Sequence, residues 1–226
     1  MAKIEIKKIF KLEQDFNFNI PLFDSSQIKL DKELTKIWKK YIPDKSLKHT
    51  VFKERVKLSH VWELYNISFI EKDGSKRLRK NPDFISGGRC TGFSEKGLNS
   101  LKDLIPNDIE ILPVNNTYSK TKYFLINIPY DLDCLGEKTV KERIHFKRYD
   151  FDLDKIENNH IFRVKDDLTN IYVTDIFVKK VLENKLKGFR FDPVWIKGDK
   201  KIYEYPFMIT YSIYSSDEST WSHFNV

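Results

Sequence analysis

Residues 171–195 read IYVTDIFVKKVLENKLKGFRFDPVW. Tyr172 and its β-branched neighbours suit a strand. Thr174 stands in helix-capping position, and Phe177, Val181 and Leu182 give the following segment an apolar stripe. Gly188 offers the left-handed residue on which helices commonly close. Phe189, Phe191 and Trp195 then recur in extended sequence. The stretch predicts strand, helix, strand, and its neighbours decide the fold class.

Toward the N-terminus, AKIEIKKIFKL places Ile4, Ile6 and then Ile9/Phe10 near period two between lysines, a strand pattern. Asp31 can cap a helix whose Leu34, Ile37, Trp38 and Tyr41 share one face before Pro43. Residues 50–70 read as two strands or one long bent one, and Asp73-Gly74 as a turn. Ser94 caps a second helix, with Leu98, Leu101 and Ile105 as its stripe and Pro106 just past its end. Ile109–Val114 and Tyr123–Ile128 are short strands separated by Asn115-Asn116-Thr117. Tyr203–Tyr214 alternates as a final strand. Helices and strands do not alternate regularly, which predicts an α+β fold: mainly antiparallel sheets with about three helices packed on them.

The chain has 226 residues, of which 40% are hydrophobic and 14% aromatic, enough for a core without staples. Its apolar runs are too short for a bilayer span, and its first residues lack a signal-peptide pattern. Cys90 and Cys134 make neither a disulfide framework nor a zinc cluster and read as reduced thiols, which predicts a cytoplasmic location. Net charge is +7, unevenly placed: residues 1–80 hold 19 basic and 11 acidic side chains, a surplus of +8. Charge and pattern both change after Lys76-Arg77-Leu78-Arg79-Lys80. That predicts a basic N-terminal strand/helix subdomain over 1–80 and an α+β domain over 81–226, unless the two pack as one compact unit.

Catalytic signatures are wanting. Gly87-Gly88-Arg89 lacks a phosphate-loop context and reads as a tight turn. His49, His60, His145, His160 and His223 are dispersed, without metal-ligand spacing. Cys90 has no nucleophile signature around it. Asp150, Asp152 and Asp154 with Glu157 lack the glycine and terminal glutamate of a calcium loop and read as a solvated strand edge or turn. No catalytic, cofactor-binding or metal residue is assigned, and the expectation is a protein that is not an enzyme and takes no cofactor. Trp38, Tyr41, Trp62 and Tyr65 among the N-terminal basic residues keep a nucleic-acid-binding or regulatory module as the alternative.

Residues 81–85 (NPDFI), 92–101 (GFSEKGLNSL) and 110–114 (EILPV), with YFLINI at 123–128 and DLDCL at 131–135, stand in a fixed order. His160-Ile-Phe-Arg-Val, Ile171-Tyr-Val-Thr-Asp and Leu186-Lys-Gly-Phe-Arg-Phe-Asp-Pro-Val-Trp complete the set. This ordered set resembles one family of bacterial polymorphic-toxin immunity proteins over about residues 80–196. The resemblance departs after DLDCL, where family members carry an acidic residue and a serine and this chain has Gly136-Glu-Lys-Thr-Val. It implies a protein that neutralises a cognate toxin from a neighbouring cell by direct steric inhibition, with no membrane partner and no nucleic-acid target. A third reading, an enzyme that reverses the toxin's modification, would betray itself by protecting at far below one copy per toxin. Phe162, Tyr172, Phe189, Phe191 and Trp195 read as scaffold. The resemblance therefore carries no toxin-binding residue. The basic first 80 residues and the aromatic, acidic tail Tyr211–Trp221 are the expected places for one.

Overall fold

The computed structural model describes residues 5–23, 32, 35–36, 55–70, 81–87, 90–142, 145–165, 167, 170–199 and 212–224. In chain order the strands are β1 (Lys8–Gln14), β2 (Ile20–Phe23), β3 (Tyr65–Ile70), β4 (Phe84–Gly87), β5 (Cys90–Ser94), β6 (Glu110–Asn116) and β7 (Tyr123–Asn127). They continue as β8 (Val140–Glu142), β9 (His145–Arg148), β10 (Ile161–Phe162), β11 (Tyr172–Thr174), β12 (Phe189–Ile196) and β13 (Ile213–Tyr214). The helices are α1 (Glu95–Leu101), α2 (Leu153–Ile156) and α3 (Asp175–Glu183). The class is α+β with mostly antiparallel sheets. Of the helix expected after Asp31, Lys32, Thr35 and Lys36 are helical, and the rest, with Trp38 and Tyr41, lies outside the described residues. So do His49, the Asp73-Gly74 turn, the basic run before residue 81, and Tyr203 to Tyr211 of the expected last strand.

Two compact units divide the chain. One takes Met1–Asp15, Ser100–Pro106 and Asp131–Val226; the other takes Phe16–Asn99 and Asn107–Tyr130. The boundary expected near residue 80 falls within 71–80, outside the described residues.

The second unit is built on a six-stranded sheet in the order β2-β3-β6-β7-β5-β4. Its pairs are antiparallel except β3 with β6. Tyr65, Ile67, Leu112, Val114, Tyr123 and Leu125 alternate along β3, β6 and β7 and form one buried cluster with Leu58 and Phe69. The strand expected ahead of β3 is instead a 3-10 turn, Ser59–Val61. Trp62 packs against the cluster edge, 4.8 Å from the Tyr65 ring, and its indole N–H donates to the Pro113 carbonyl at 2.8 Å. An apolar run without alternation satisfies a turn that folds over a sheet as readily as a strand. Ser94 caps α1 as expected: its hydroxyl accepts from Gly97 N at 3.0 Å and donates to Asp83 at 2.7 Å. Asn116 organises the turn after β6, its side-chain oxygen accepting from Tyr118 N at 3.0 Å.

In the first unit a five-stranded sheet runs β10-β11-β1-β12-β13. β1 lies between β11 and β12, antiparallel to both. Ile9 and Phe10 are consecutive and both buried on this central strand, and the register shift between them leaves Val194 as the extra residue of β12. The same irregularity accommodates Pro193, which faces Phe10 although a proline lacks the N–H that a ladder requires. Ile9, Cys134, Phe151, Ile156, Phe162, Val164 and Tyr172 form the core beside this sheet. Burying each of the larger apolar side chains contributes about 1.5–3 kcal/mol.

α3 follows β11 directly and presents Phe177, Val178 and Val181 to the interior, each fully buried. Its ends differ from expectation. Thr174 is the N-cap by position, yet its hydroxyl bonds to His160 Nδ1 at 3.0 Å, and no side-chain capping bond forms. The Asp175 carboxylate beside it accepts from Lys7 N at 3.2 Å. The helix stops at Glu183, and Lys185 rather than Gly188 takes the left-handed closing position, with φ 49°. Leu186 N reaches the Val181 carbonyl at 3.1 Å and Lys185 N that of Leu182 at 3.0 Å, a Schellman closure. Gly188, with φ 93°, then turns the chain into β12.

Candidate functional site

The first unit carries an arm, the hairpin β8–β9, that forms a two-stranded sheet of its own. All of β8 is exposed. The base of the arm is a short antiparallel ladder: Leu135 bridges Phe151, Gly136 N donates to the Asp150 carbonyl at 2.8 Å, and Asp152 N donates to that of Cys134 at 2.9 Å. Asp150 clamps the turn that follows. Its carboxylate accepts from Lys138 N at 3.2 Å, and its own N–H donates to Thr139 Oγ1 at 3.1 Å. A Cβ at residue 136 would lie 2.4 Å from Asp150 Oδ2, so a side chain there would displace the carboxylate that clamps the turn. This is the loop where the family resemblance gave no guidance.

Aromatic rings tie the arm to the core of the same unit. Phe146 on β9 stacks on Tyr149 at 5.1 Å, and Tyr149 stacks on Phe151 at 5.6 Å. Phe151 meets Tyr172 and Trp195 edge-on, each at 6.2 Å. A hydrogen-bonded chain runs alongside. The Tyr149 and Tyr172 hydroxyls are 2.9 Å apart, and Tyr172 donates to Asp167 Oδ2 at 2.5 Å. Asn170 supports that carboxylate through its backbone N–H at 3.2 Å and its side-chain amide at 2.8 Å. Burial, with Asp167 adding to it, pushes the Tyr149 phenol up to about 12, and burial also raises that of Tyr172. Both remain neutral donors across the physiological range, which suits anchoring rather than acid–base chemistry.

The arm is basic. Residues 137–148 hold Lys138, Lys141, Arg143, Lys147 and Arg148 against Glu137 and Glu142, a net +3. A register shift between Val140 and Lys141 makes Lys147 the extra residue of β9, and its ammonium pairs with Glu142. The Lys141 ammonium lies 5.1 Å from the centre of the Phe146 ring. Val140, 46% exposed, adds an apolar point among these charges. Counting charge over long segments hid this patch, because the near-neutral total after residue 80 averages it with acidic neighbours. A window of a dozen residues exposes it.

The residues considered from sequence fall elsewhere or into structural roles. Asp152 caps α2 through Asp154 N at 3.3 Å, and Asp150 holds the arm's turn, so the aspartate cluster is turn and cap chemistry. Among the described residues no group of three His, Cys, Asp or Glu could hold a metal ion. His60 is exposed on its 3-10 turn, and His160 is half-buried with its pKa lowered by burial. Cys134 is a buried free thiol, pushed up to about 12 by burial. In the tail expected to expose aromatics, Tyr211 lies outside the described residues, and Tyr214 and Trp221 are half-buried, the Trp221 indole donating to the Tyr214 carbonyl at 3.1 Å. The turn Ser216–Ser219, with its acidic pair Asp217-Glu218, stands in solvent. Among the described residues no helix is long and apolar enough to cross a membrane.

Residues 109–195 match the sequence model of an immunity protein family (Imm11). No curated protein matches the chain. The matched span takes in β6 to β12, α3 and the arm with its aromatic anchors.

Proposed function

We propose that this chain is a non-enzymatic immunity protein of the cytoplasm that binds a cognate bacterial toxin domain and blocks its active site or substrate access. The match of residues 109–195 to an immunity family carries this reading. The architecture supports it. Asp192, buried in the first unit, is engaged in structure, taking two bonds from Arg190 at 3.0 Å and one from Ser212 at 2.6 Å. Steric inhibition needs only a preorganised surface, complementary charge and a few anchoring side chains.

The test is co-expression with the toxin domain encoded beside this chain's gene. The expected outcome is survival, and a purified complex of one chain per toxin. Protection by amounts far below one chain per toxin would make the protein an enzyme that reverses damage. Absence of both complex and protection would remove the immunity reading. Salt-dependent binding to duplex DNA or RNA in its place would establish the nucleic-acid alternative.

A further inference from the structure

We infer that the β8–β9 arm is the surface by which this protein engages its partner, and that the partner presents an acidic protein groove flanked by apolar positions. The inference rests on the immunity reading and adds to it a place and a chemistry. Three features of the arm converge. The described residues of the arm carry a net +2, from Lys138, Lys141, Lys147 and Arg148 against Glu137 and Glu142, in a stretch from residue 81 onward that is close to neutral as a whole. Its strands pair with each other alone among the described residues, so the hairpin offers side chains and strand edges together. It is held from below by the Gly136–Asp150 clamp and by the Phe146–Tyr149–Phe151 stack, which fixes it before any partner arrives. Preorganisation of this kind lowers the entropic cost of docking.

The chemistry favours a protein over a phosphate backbone. Val140 stands exposed between Lys138 and Lys141, and two of the arm's cations are turned inward on the arm itself: Lys147 to Glu142, and Lys141 over Phe146. A phosphate-tracking surface spends its cations on the ligand. A protein-docking surface mixes charge with apolar anchors, and charge there governs association rate and partner choice.

Lysines on exposed strands also serve to discourage edge-to-edge aggregation. Charge reversal separates the two roles, because glutamate guards an edge as well as lysine does but cannot meet an acidic groove. Isothermal titration would measure the toxin domain encoded beside the gene against the full chain, against Lys138→Glu with Lys141→Glu, and against Lys120→Glu with Lys179→Glu. The last pair changes net charge equally at exposed sites outside the arm. The arm variant should bind about tenfold more weakly or worse, with its salt dependence flattened, while the control pair stays close to wild type. Hydrogen exchange of the wild-type chain with the same domain needs no variant and should show protection at 137–142 and 145–148.

Equal affinity of the arm variant and wild type, or protection located elsewhere, would overturn the arm while leaving the immunity reading intact. A wild-type chain that ignores the toxin domain overturns both. Tighter binding of the wild type to a short duplex DNA than to the toxin domain, lost in the arm variant, would overturn the protein groove in favour of phosphate.

Discussion

β8 and β11 are both three residues long, yet Val140-Lys-Glu is exposed at every position and Tyr172-Val-Thr is buried at every position. Strand length and backbone pairing therefore do not decide how firmly a strand is held. β11 lies between β10 and β1 and is packed on both faces. Among the described residues β8 pairs with β9 alone, and its side chains meet solvent. The Tyr149–Tyr172 contact joins the two regimes, adding a ring contact and a hydroxyl bond to the ladder and the Phe151 stack at the base of the arm. A surface evolved for recognition can then vary in sequence while its base stays fixed by the fold.

The sharpest way to break this contrast is at Tyr172. Tyr172→Ala removes a fully buried ring, takes one donor from the Asp167 carboxylate, which keeps its two bonds from Asn170, and cuts the link to Tyr149. It should cost about 3–5 kcal/mol, read as a shift in denaturant midpoint for the whole unit. Gly136→Ala attacks the arm instead. Its methyl would meet Asp150 Oδ2 at 2.4 Å, and the expected loss is about 1–3 kcal/mol. Amide exchange should quicken across 137–148 and leave β11 protected. Adding Asp150→Ser, which shortens the clashing side chain, should recover part of the loss. No recovery would mean that the arm's base is not held by this approach.

The sequence showed the buried half of this contrast far better than the exposed half. Strand–helix–strand over 171–195 was readable because Phe177, Val181, Phe189 and Phe191 obey helical or strand periods, and burial enforces those periods. The ends of α3 were not readable. A lysine at φ 49° costs little enough for the Leu186–Val181 closure to tolerate it, so composition pointed to Gly188 instead. Likewise the Thr174 hydroxyl could not be known to prefer His160 over a cap, since that choice depends on a strand fourteen residues away. The candidate site was hidden for a different reason. Lys138, Lys141 and Lys147 carry no motif, and their proximity comes from a bulge and a two-stranded pairing that period and charge totals do not specify.

A smaller effect separates the two strands by pH. His160 bonds Thr174 at the end of β11, and burial lowers its pKa below 6.5, opposed by Asp103. The unfolded chain then binds a proton that the folded chain resists, so stability falls as pH drops below 6.5 toward the lowered value. His160→Asn should remove that component. The difference between wild type and variant in thermal midpoint should change across this window and be flat above it. A pH-independent difference would mean that His160 contributes by packing alone.

The smallest expected effect is the most discriminating. Lys138→Glu with Lys141→Glu alters two exposed side chains, so unfolding stability should move by no more than about 0.5 kcal/mol. The Lys138 backbone N–H still reaches Asp150, because that bond does not involve the side chain. The Lys141–Phe146 contact is surrendered, yet Phe146 keeps its stack on Tyr149. An arm that serves recognition must tolerate this exchange in stability and fail it in binding. If instead the thermal midpoint drops as far as it does for Gly136→Ala, the lysines belong to the scaffold, and β8 differs from β11 in exposure but not in purpose.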